Sequence, residues 1–448
     1  MQHFSLKRGL NLPIDGAPQR GMTEGPPVQK VALLGADYVG MKPRLQVEEG
    51  DLVAAGSPIF AHKDTPDVFA TSPVSGRVKA INRGARRVLI SVEIEVAAGQ
   101  DPLDFSDVGD AETPEGITEK LAAAGLWTSF RTRPYSKVPP TDADRRPAAI
   151  FVSAMDTEPL AGDPAEIIDD DRKSFVRGLA LVAKLTDGKT YLCHSQDADV
   201  PGKDVAGVEP VSFSGPHPAG LAGTHIHFLE QVTAERQVWT IGYQDVTAIG
   251  RLFETGRLDG SRIIALAGPK MTKPRLVRTV AGASMVDLTR GSIAQDAPLR
   301  LISGSILSGR AGEGESAYLG RYARQVTVIE EDKRQHSFGW IRPMREKYAM
   351  QPVLGSAFAK KTYALTSNLN GGRRAMVPYG TFEELMPQDY LPTQLLRAML
   401  VMDTDQAQAL GVLELDEEDM GLVGFACPAK YEYGEALRDC LTKIEKEG

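Results

Sequence analysis

The chain has 448 residues, of which 42% are hydrophobic and 25% charged, and its formal net charge is −8. These values indicate a globular protein of three or four domains, and they exclude a largely disordered chain, a collagen and a polytopic membrane protein. An acidic surface repels nucleic-acid backbones and anionic lipid head groups. We therefore expect no nucleic-acid partner, and any association with a membrane should go through a protein partner.

The cysteine content excludes two kinds of cofactor site. Cys193, Cys427 and Cys440 are the only cysteines, and no CxxC motif occurs. We therefore expect buried thiols, with no disulfide framework, no iron–sulfur cluster and no metal site on this chain. The longest segment without Asp, Glu, Lys or Arg, residues 210–229, contains three prolines and three glycines, so it does not predict a membrane-spanning helix.

Residues 31–100 read as a series of very short strands separated by glycine turns. This pattern resembles the biotinyl/lipoyl barrel-sandwich fold. Carrier proteins of that fold present a modifiable lysine on a hairpin, which here is residues 63–67. The carrier position falls near Pro66 and Lys63 lies about three residues early, so the spacing favours an unmodified structural module over a swinging-arm carrier.

The remaining chain divides into an α/β region, a second β region and a helical C-terminus. Thr113-Pro114 predicts a helix start and Gly125 its end. The domains that we expect are an N-terminal segment with the barrel-sandwich module (1–105), a Rossmann-like α/β domain (106–258), a β domain (259–332) and a mostly helical domain (333–448).

A loop at residues 125–130 carries the most specific signal. With the segment that follows the strand at 149–153, it resembles the flavin-carrying subunit of respiratory complex I and its Rnf-type relatives. Those proteins have glycines at this loop, which let the backbone approach a phosphate closely. In this chain Trp127, Thr128, Ser129 and Phe130 occupy the loop. We therefore expect the two aromatic side chains to be buried and the flavin cradle to be closed.

Acidic residues follow the first strand of the α/β region, where open α/β sheets bind ligands. Asp156 and Glu158 are candidates for a polar binding site, but helix capping and loop solvation, which also explain Asp163, are the more common roles of such residues. The pattern GxGxxA at residues 312–317 lacks the strand and long helix of a dinucleotide fingerprint, so we assign no site to it.

Three histidines, His217, His225 and His227, lie close together in sequence. On a strand, His225 and His227 would face the same side and could share a polar ligand. A quinone carbonyl is one candidate acceptor for such a histidine, and a loop supported by hydrogen-bonded histidines is the alternative. No catalytic residue is assigned to this chain.

Several segments, taken together, resemble one family from end to end: the A subunits of bacterial sodium-translocating NADH:quinone oxidoreductases. These segments are residues 7–16, 127–137, 154–160, 217–227, 239–244, 320–330, 431–434 and 444–448. The resemblance implies that the β domain is a β-grasp domain of the soluble-ligand-binding (SLBB-like) type.

The same resemblance implies a peripheral, cofactor-free subunit on the cytoplasmic face of the bacterial inner membrane. Its five partner subunits would carry FAD, FMN, riboflavin and the iron–sulfur centre. The complex would oxidise NADH, reduce ubiquinone and export sodium, and the isolated chain would not be catalytic. Ubiquinone is a candidate ligand. The alternatives are a dehydrogenase subunit that itself binds flavin and NADH, or an Rnf-type electron-transfer subunit.

Overall fold

Two short strands at the N-terminus complete sheets that are otherwise built from residues far along the chain. The computed structural model describes residues 2–97, 99–334, 338, 344–350, 355–358 and 362–447. Strand β1 (Gln2–Ser5) pairs in parallel with residues 211–214, and β2 (Gln19–Glu24) pairs in parallel with residues 275–278. The first 24 residues therefore connect two later parts of the fold.

The next segment forms the small β sandwich that the sequence predicts. Its strands are β3 (Lys30–Leu34), β4 (Pro43–Leu45), β5 (Leu52–Val53), β6 (Pro58–His62), β7 (Phe69–Thr71), β8 (Gly76–Arg83) and β9 (Leu89–Val96). One sheet has the order β3-β9-β8-β5 and the other the order β4-β6-β7. Ile59, Phe60 and Ile94 fill the space between the sheets and are almost completely buried. The hairpin at residues 63–67 joins β6 to β7.

The α/β domain is built on a six-stranded sheet with the order β1-β13-β12-β11-β14-β10. Its elements are α1 (Pro114–Ala123), β10 (Arg131–Arg133), β11 (Ala149–Ala154), α2 (Pro164–Asp169), α3 (Arg172–Ala183), β12 (Lys189–Ser195), β13 (Val208–Ser214), α4 (Ala222–Leu229), β14 (Val238–Gly242) and α5 (Tyr243–Thr255). All neighbouring strands are parallel except β10, which is antiparallel to β14. Such a sheet is covered on both faces.

Helices α3 and α5 pack closely on one face of this sheet because glycines stand at their contact. A Cβ atom at Gly178 would lie 1.9 Å from the carbonyl oxygen of Val246, and one at Gly250 would lie 1.8 Å from that of Ser174. Any larger residue at either position would push the two helices apart.

The β-grasp domain has the sheet order β18-β17-β19-β15-β16-β2. Its elements are β15 (Ser261–Ala267), β16 (Arg275–Val280), α6 (Met285–Thr289), β17 (Leu299–Ser303), β18 (Arg310–Ala311) and β19 (Gln325–Glu330). Ile264, Leu288 and Val328 are fully buried in its core. The GxGxxA pattern follows the two-residue strand β18 and contains one turn of 3-10 helix at Gly314–Ser316. This geometry is not that of a dinucleotide fingerprint.

The C-terminal part is helical, as predicted, and it covers the second face of the α/β sheet. Its helices are α7 (Thr381–Leu385), α8 (Pro392–Leu400), α9 (Thr404–Ala409), α10 (Gly421–Ala426) and α11 (Tyr433–Glu447). Phe151 and Phe213 of the sheet share one core with Leu395 and Leu441 of these helices. The helices are therefore an integral layer of the α/β domain.

Residues 208–229, where the histidine spacing left a strand or a loop open, form strand β13 and helix α4. His225 and His227 therefore lie on a helix. The strand contains Pro210, although proline cannot donate a backbone hydrogen bond and is uncommon inside a sheet. Pro210 and the nearby glycines are typical of a loop, which is why the sequence pattern did not predict strand β13.

Among the described residues, no helix combines the length and the apolar composition needed to cross a bilayer.

Trp127 and Phe130 are buried as predicted, with 2% and 0% of their surface exposed. Their rings and that of Trp239 form a cluster whose centroids are 5.3 to 5.6 Å apart.

We expect Phe130→Ala and Trp127→Ala each to lower the unfolding free energy by about 3–5 kcal/mol. Thermal melting of the full chain measures this effect. Phe358→Ala, at a side chain that is 95% exposed, should leave the melting temperature unchanged. Unchanged melting of both core variants would contradict the closed-loop interpretation.

Candidate functional site

A cleft of about 2820 Å³ lies where the α/β domain, the β-grasp domain and the C-terminal helices meet. Its floor is the carboxyl edge of the parallel sheet, at the ends of β11 and β14. This is the edge at which open α/β sheets bind ligands. Residues 302–311 and 320–325 of the β-grasp domain form the opposite wall, and residues between 416 and 438 form the third side.

Asp156 follows β11 and joins the floor of the cleft to the opposite wall. Its Oδ2 accepts a hydrogen bond from Nη1 of Arg324 at 3.0 Å, and its Oδ1 accepts one from the backbone N–H of Glu158 at 2.9 Å. Burial raises the pKa of Asp156, and the guanidinium of Arg324 opposes that rise. Arg324 also stacks over the ring of Tyr243, with its guanidinium carbon 5.4 Å from the ring centroid. These contacts fix the guanidinium at the cleft.

Glu158 is held by two hydroxyl groups of the β-grasp domain. Ser305 donates to Oε2 and Ser308 to Oε1, both at 2.6 Å. Burial, together with the negative charge of Asp156, raises the pKa of Glu158 to about 7. Glu158 can therefore gain or lose a proton near neutral pH, a property that is concentrated at functional sites. Asp163, by contrast, caps α2 through the N–H of Ala165.

A second network lies deeper, around Asp245 at the start of α5. Its Oδ1 accepts hydrogen bonds from Arg262 at 2.6 Å, from Arg321 at 2.9 Å and from Ser129 Oγ at 3.1 Å. Burial acts to raise the pKa of Asp245, but the two guanidinium groups outweigh it and hold the pKa below its usual value. The backbone N–H of Arg321 donates to Asp37 at 2.7 Å, which adds the N-terminal module to the network.

Polar groups of the loop at residues 126–130 form hydrogen bonds with other residues of the protein. The indole N–H of Trp127 donates to the carbonyl of Pro139 at 2.8 Å, and Ser129 Oγ accepts from Nη2 of Arg321 at 2.6 Å. The carbonyl of Thr128 accepts from the hydroxyl of Tyr322 at 2.8 Å. This loop does not fit a flavin phosphate. Side chains of the protein fill the space, and the polar groups named here are already hydrogen bonded to them.

On the third side of the cleft, three arginines converge on Asp416. Nη1 of Arg131, Nη2 of Arg133 and Nη2 of Arg438 lie 3.0, 3.0 and 3.1 Å from its carboxylate oxygens. Burial acts to raise the pKa of Asp416, but the three guanidinium groups and a hydrogen bond from the side chain of Glu417 hold it well below its usual range. This cluster fastens the C-terminal helices to the strand that follows the closed loop.

The structure places His217 and His225 behind the cleft wall. Nδ1 of His217 lies 3.2 Å from Thr157 Oγ1, which also accepts the N–H of Gly220 at 2.9 Å. Nε2 of His225 donates to the carbonyl of Ala219 at 3.0 Å. Burial lowers the pKa of both histidines to about 4, so both rings are neutral at physiological pH. Neither is among the residues that line the cleft.

His227 faces a different neighbourhood from His225, because residues two apart on a helix do not share a face. Its Nδ1 lies 2.8 Å from Glu414 Oε2 and its Nε2 lies 2.9 Å from Asp389 Oδ1. Burial acts to lower the pKa of His227, but the two carboxylates outweigh it and raise the pKa. The strand geometry under which His225 and His227 could share a ligand is therefore not present.

All three cysteines are buried, as predicted, and Cys427 Sγ lies 3.2 Å from the hydroxyl of Tyr433. Within the described part of the chain, no group of three His, Cys, Asp or Glu side chains is arranged to hold a metal ion.

The arginines that build the cleft walls were not singled out from the sequence. Arg131 and Arg133 alternate along a short strand, and Arg321 and Arg324 flank a tyrosine before β19. Isolated surface arginines are common, so these positions gave no signal by themselves. The one available signal was the position of Arg131 and Arg133 directly after the loop that contains Trp127 and Phe130.

Three family models match the chain. The NqrA N-terminal barrel-sandwich hybrid domain matches residues 4–97, the NqrA second alpha/beta domain matches residues 112–258, and the NQRA C-terminal domain matches residues 263–313.

Full-length relatives are similar over nearly the whole chain. The A subunit of the Na(+)-translocating NADH-quinone reductase of Neisseria meningitidis serogroup A is 51% identical over 99% of this chain and 100% of the relative. The corresponding A subunits of Pasteurella multocida and Yersinia pestis are 49% and 50% identical over the same shares. Among solved structures, an NAD+-reducing [NiFe]-hydrogenase overlaps 49% of this chain and 47% of its own, with 12% identity and a TM-score of 0.36.

The raised pKa of Glu158 predicts how the unfolding free energy depends on pH. A pKa of about 7 in the folded state lies above the usual value of 4.5, so the folded chain binds more protons than the unfolded chain between these values. This carboxyl should therefore make the unfolding free energy fall as pH rises from about 4.5 to about 7, by up to roughly 3 kcal/mol. Glu158→Gln should remove that contribution. Melting temperatures of both proteins from pH 5 to pH 8 measure the difference in slope.

The matched control is Glu119→Gln at an exposed position on α1, which should keep the wild-type slope. Identical slopes for wild type and Glu158→Gln would show that Glu158 does not titrate in this range.

Proposed function

Because the chain belongs to the family of A subunits of the Na+-translocating NADH-quinone reductases, we propose that it is a peripheral subunit that carries no cofactor of its own. The complex in which it works oxidises NADH, reduces ubiquinone to ubiquinol and exports sodium ions from the cytoplasm. This chain supports the quinone-reduction half and is not catalytic alone.

The observation that carries the cofactor-free role is the closed loop at residues 126–130. Phosphate-binding loops offer bare backbone N–H groups to the ligand. Here Trp127 and Phe130 fill the core, and Arg321 and Tyr322 hydrogen bond to the remaining polar groups. The dehydrogenase alternative, a subunit that binds flavin and NADH itself, would require this space to be open. The Rnf-type alternative would require several closely spaced cysteines, and the three cysteines of this chain, Cys193, Cys427 and Cys440, form no such cluster.

The cleft supports the proposed role in the quinone half. Quinone carbonyls accept hydrogen bonds, and Arg324 presents a guanidinium at the cleft wall with Asp156 holding one of its nitrogens. Reduction of a quinone to a quinol also consumes protons, and Glu158 exchanges a proton near neutral pH. Of the residues predicted from the sequence, Asp156 and Glu158 remain candidates for contact with a ligand in the cleft, whereas His217 and His225 act behind its wall.

We infer the location and the partners from the same family. The subunit lies on the cytoplasmic face of the inner membrane and is held there by five other subunits, which carry FAD, FMN, riboflavin and the iron–sulfur centre. The net charge of −8 disfavours direct attachment to anionic lipids and supports attachment through protein contacts.

The cofactor-free role predicts that the purified full chain is colourless. Its visible spectrum should lack flavin absorbance, and titration with FMN should not quench flavin fluorescence in a stoichiometric way, because the cradle is filled. Free FMN mixed with an unrelated protein sets the background. Stoichiometric yellow absorbance in the purified chain would end this proposal.

The peripheral role predicts partner-dependent sedimentation. Expressed alone, the chain should remain in the supernatant after ultracentrifugation; expressed with the membrane subunits of the complex, it should sediment with the membranes. Immunoblotting of both fractions measures the distribution. Tight binding of the isolated chain to protein-free vesicles of anionic phospholipid would contradict attachment through protein contacts.

A further inference from the structure

The hairpin between β8 and β9 carries three arginines at an exposed tip. Arg83, Arg86 and Arg87 are all exposed, and the neighbouring Val88 is 65% exposed. Within the described part of the chain, no carboxylate lies within salt-bridge distance of any of these guanidinium groups. In a protein with a net charge of −8, this tip is a local concentration of unpaired positive charge.

The backbone of the tip has a conformation that arginine disfavours. Arg86 and Arg87 have φ angles of +53° and +62°, and the N–H of Val88 donates to the carbonyl of Ala85 at 3.2 Å, which closes a turn around them. Turns with two positive φ angles strongly favour Asn-Gly, because a larger side chain crowds the backbone there. Nη1 of Arg83 donates to the carbonyl of Arg87 at 3.0 Å and helps to hold the turn.

One other adjacent pair of non-glycine residues with positive φ occurs among the described residues, at Tyr135 and Ser136. There the surrounding protein imposes the conformation: Arg438 donates to the carbonyl of Tyr135 at 2.7 Å, and Arg133 donates to Ser136 Oγ at 2.8 Å. The hairpin tip is in solvent and has no comparable support from the rest of the fold. An unfavourable backbone that nothing else in the fold requires is typical of a functional position.

We propose that this arginine tip docks against an acidic surface on another subunit of the complex. The inference rests on the proposed function, since it requires the chain to be part of that assembly. Guanidinium groups pair with carboxylates through two parallel hydrogen bonds, which gives both attraction and orientation. The strained turn places Arg86 and Arg87 at adjacent exposed positions, and Arg83 contacts the carbonyl of Arg87.

A carboxylate surface fits the tip better than a lipid surface does. Basic segments that bind anionic membranes usually contain four to eight lysines or arginines. This tip has three arginines, and Val88 is the large apolar side chain beside them. Three cations near an anionic lipid surface would give only weak, readily reversible binding.

The test variant replaces the tip by the sequence that the turn itself favours, Arg86→Asn together with Arg87→Gly. Because strain is relieved, the full chain should melt at the same temperature as wild type or a few degrees higher. Binding to membranes that contain the other subunits but lack this one should weaken by roughly tenfold at physiological salt, since two exposed charge contacts are lost. Co-sedimentation over a range of chain concentrations gives the apparent Kd.

The control variant is Arg20→Asn together with Arg44→Asn, which removes two exposed arginines from β2 and β4 and should bind as wild type does. Vesicles of phosphatidylglycerol without protein form the second arm, and wild type should not bind them tightly.

Equal binding of wild type and the Asn-Gly variant would overturn the docking proposal alone. Equal weakening by the control variant, or a loss in the Asn-Gly variant that appears equally on protein-free vesicles, would also overturn it. If wild type fails to bind the subunit-containing membranes at all, the proposed function fails as well.

Discussion

The ion pair between Arg321 and Asp245 is the contact on which the relative placement of the domains depends. Asp245 belongs to the first turn of a helix of the α/β domain, and Arg321 precedes a strand of the β-grasp domain. Ser129 of the closed loop and Asp37 of the N-terminal module bond to the same arginine. A buried ion pair is tolerated only when further hydrogen bonds satisfy its remaining atoms, and here those bonds come from three parts of the fold.

The closed loop and the cleft follow from this arrangement. Because Arg321 and Tyr322 reach across to Thr128 and Ser129, the space at the loop is occupied by the protein. The open space lies further out, in the cleft that is lined by Asp156 and Glu158 on the sheet edge and by serines and arginines of the β-grasp wall. The fold thus places its large cleft at the carboxyl edge of the sheet while the loop beside it is filled by protein side chains, and this arrangement supports the proposal of a subunit without a cofactor of its own.

Much of the fold was predictable because its signals are local. Short strands between glycine turns predicted the β sandwich, and Thr113, Pro114 and Gly125 marked the limits of α1 correctly. Strand β13 and helix α4 were missed because Pro210 and nearby glycines imitate a loop, and the pairing with β12 that stabilises the strand is remote in sequence. The candidate site was predictable only in part: Asp156 and Glu158 follow a recognisable strand, but their partners Arg324, Ser305 and Ser308 come from another domain.

The class of each domain, the absence of clustered cysteines and the bulky character of the loop at residues 126–130 follow from the sequence alone, because these are properties of neighbouring residues. The family follows from it too, since relatives about half identical extend over the whole chain. The tertiary structure was needed to show that burial beside Asp156 raises the pKa of Glu158 and that His225 and His227 face different surroundings. Burial and charge at a side chain depend on residues brought together from distant positions, and spacing along the chain does not contain that information.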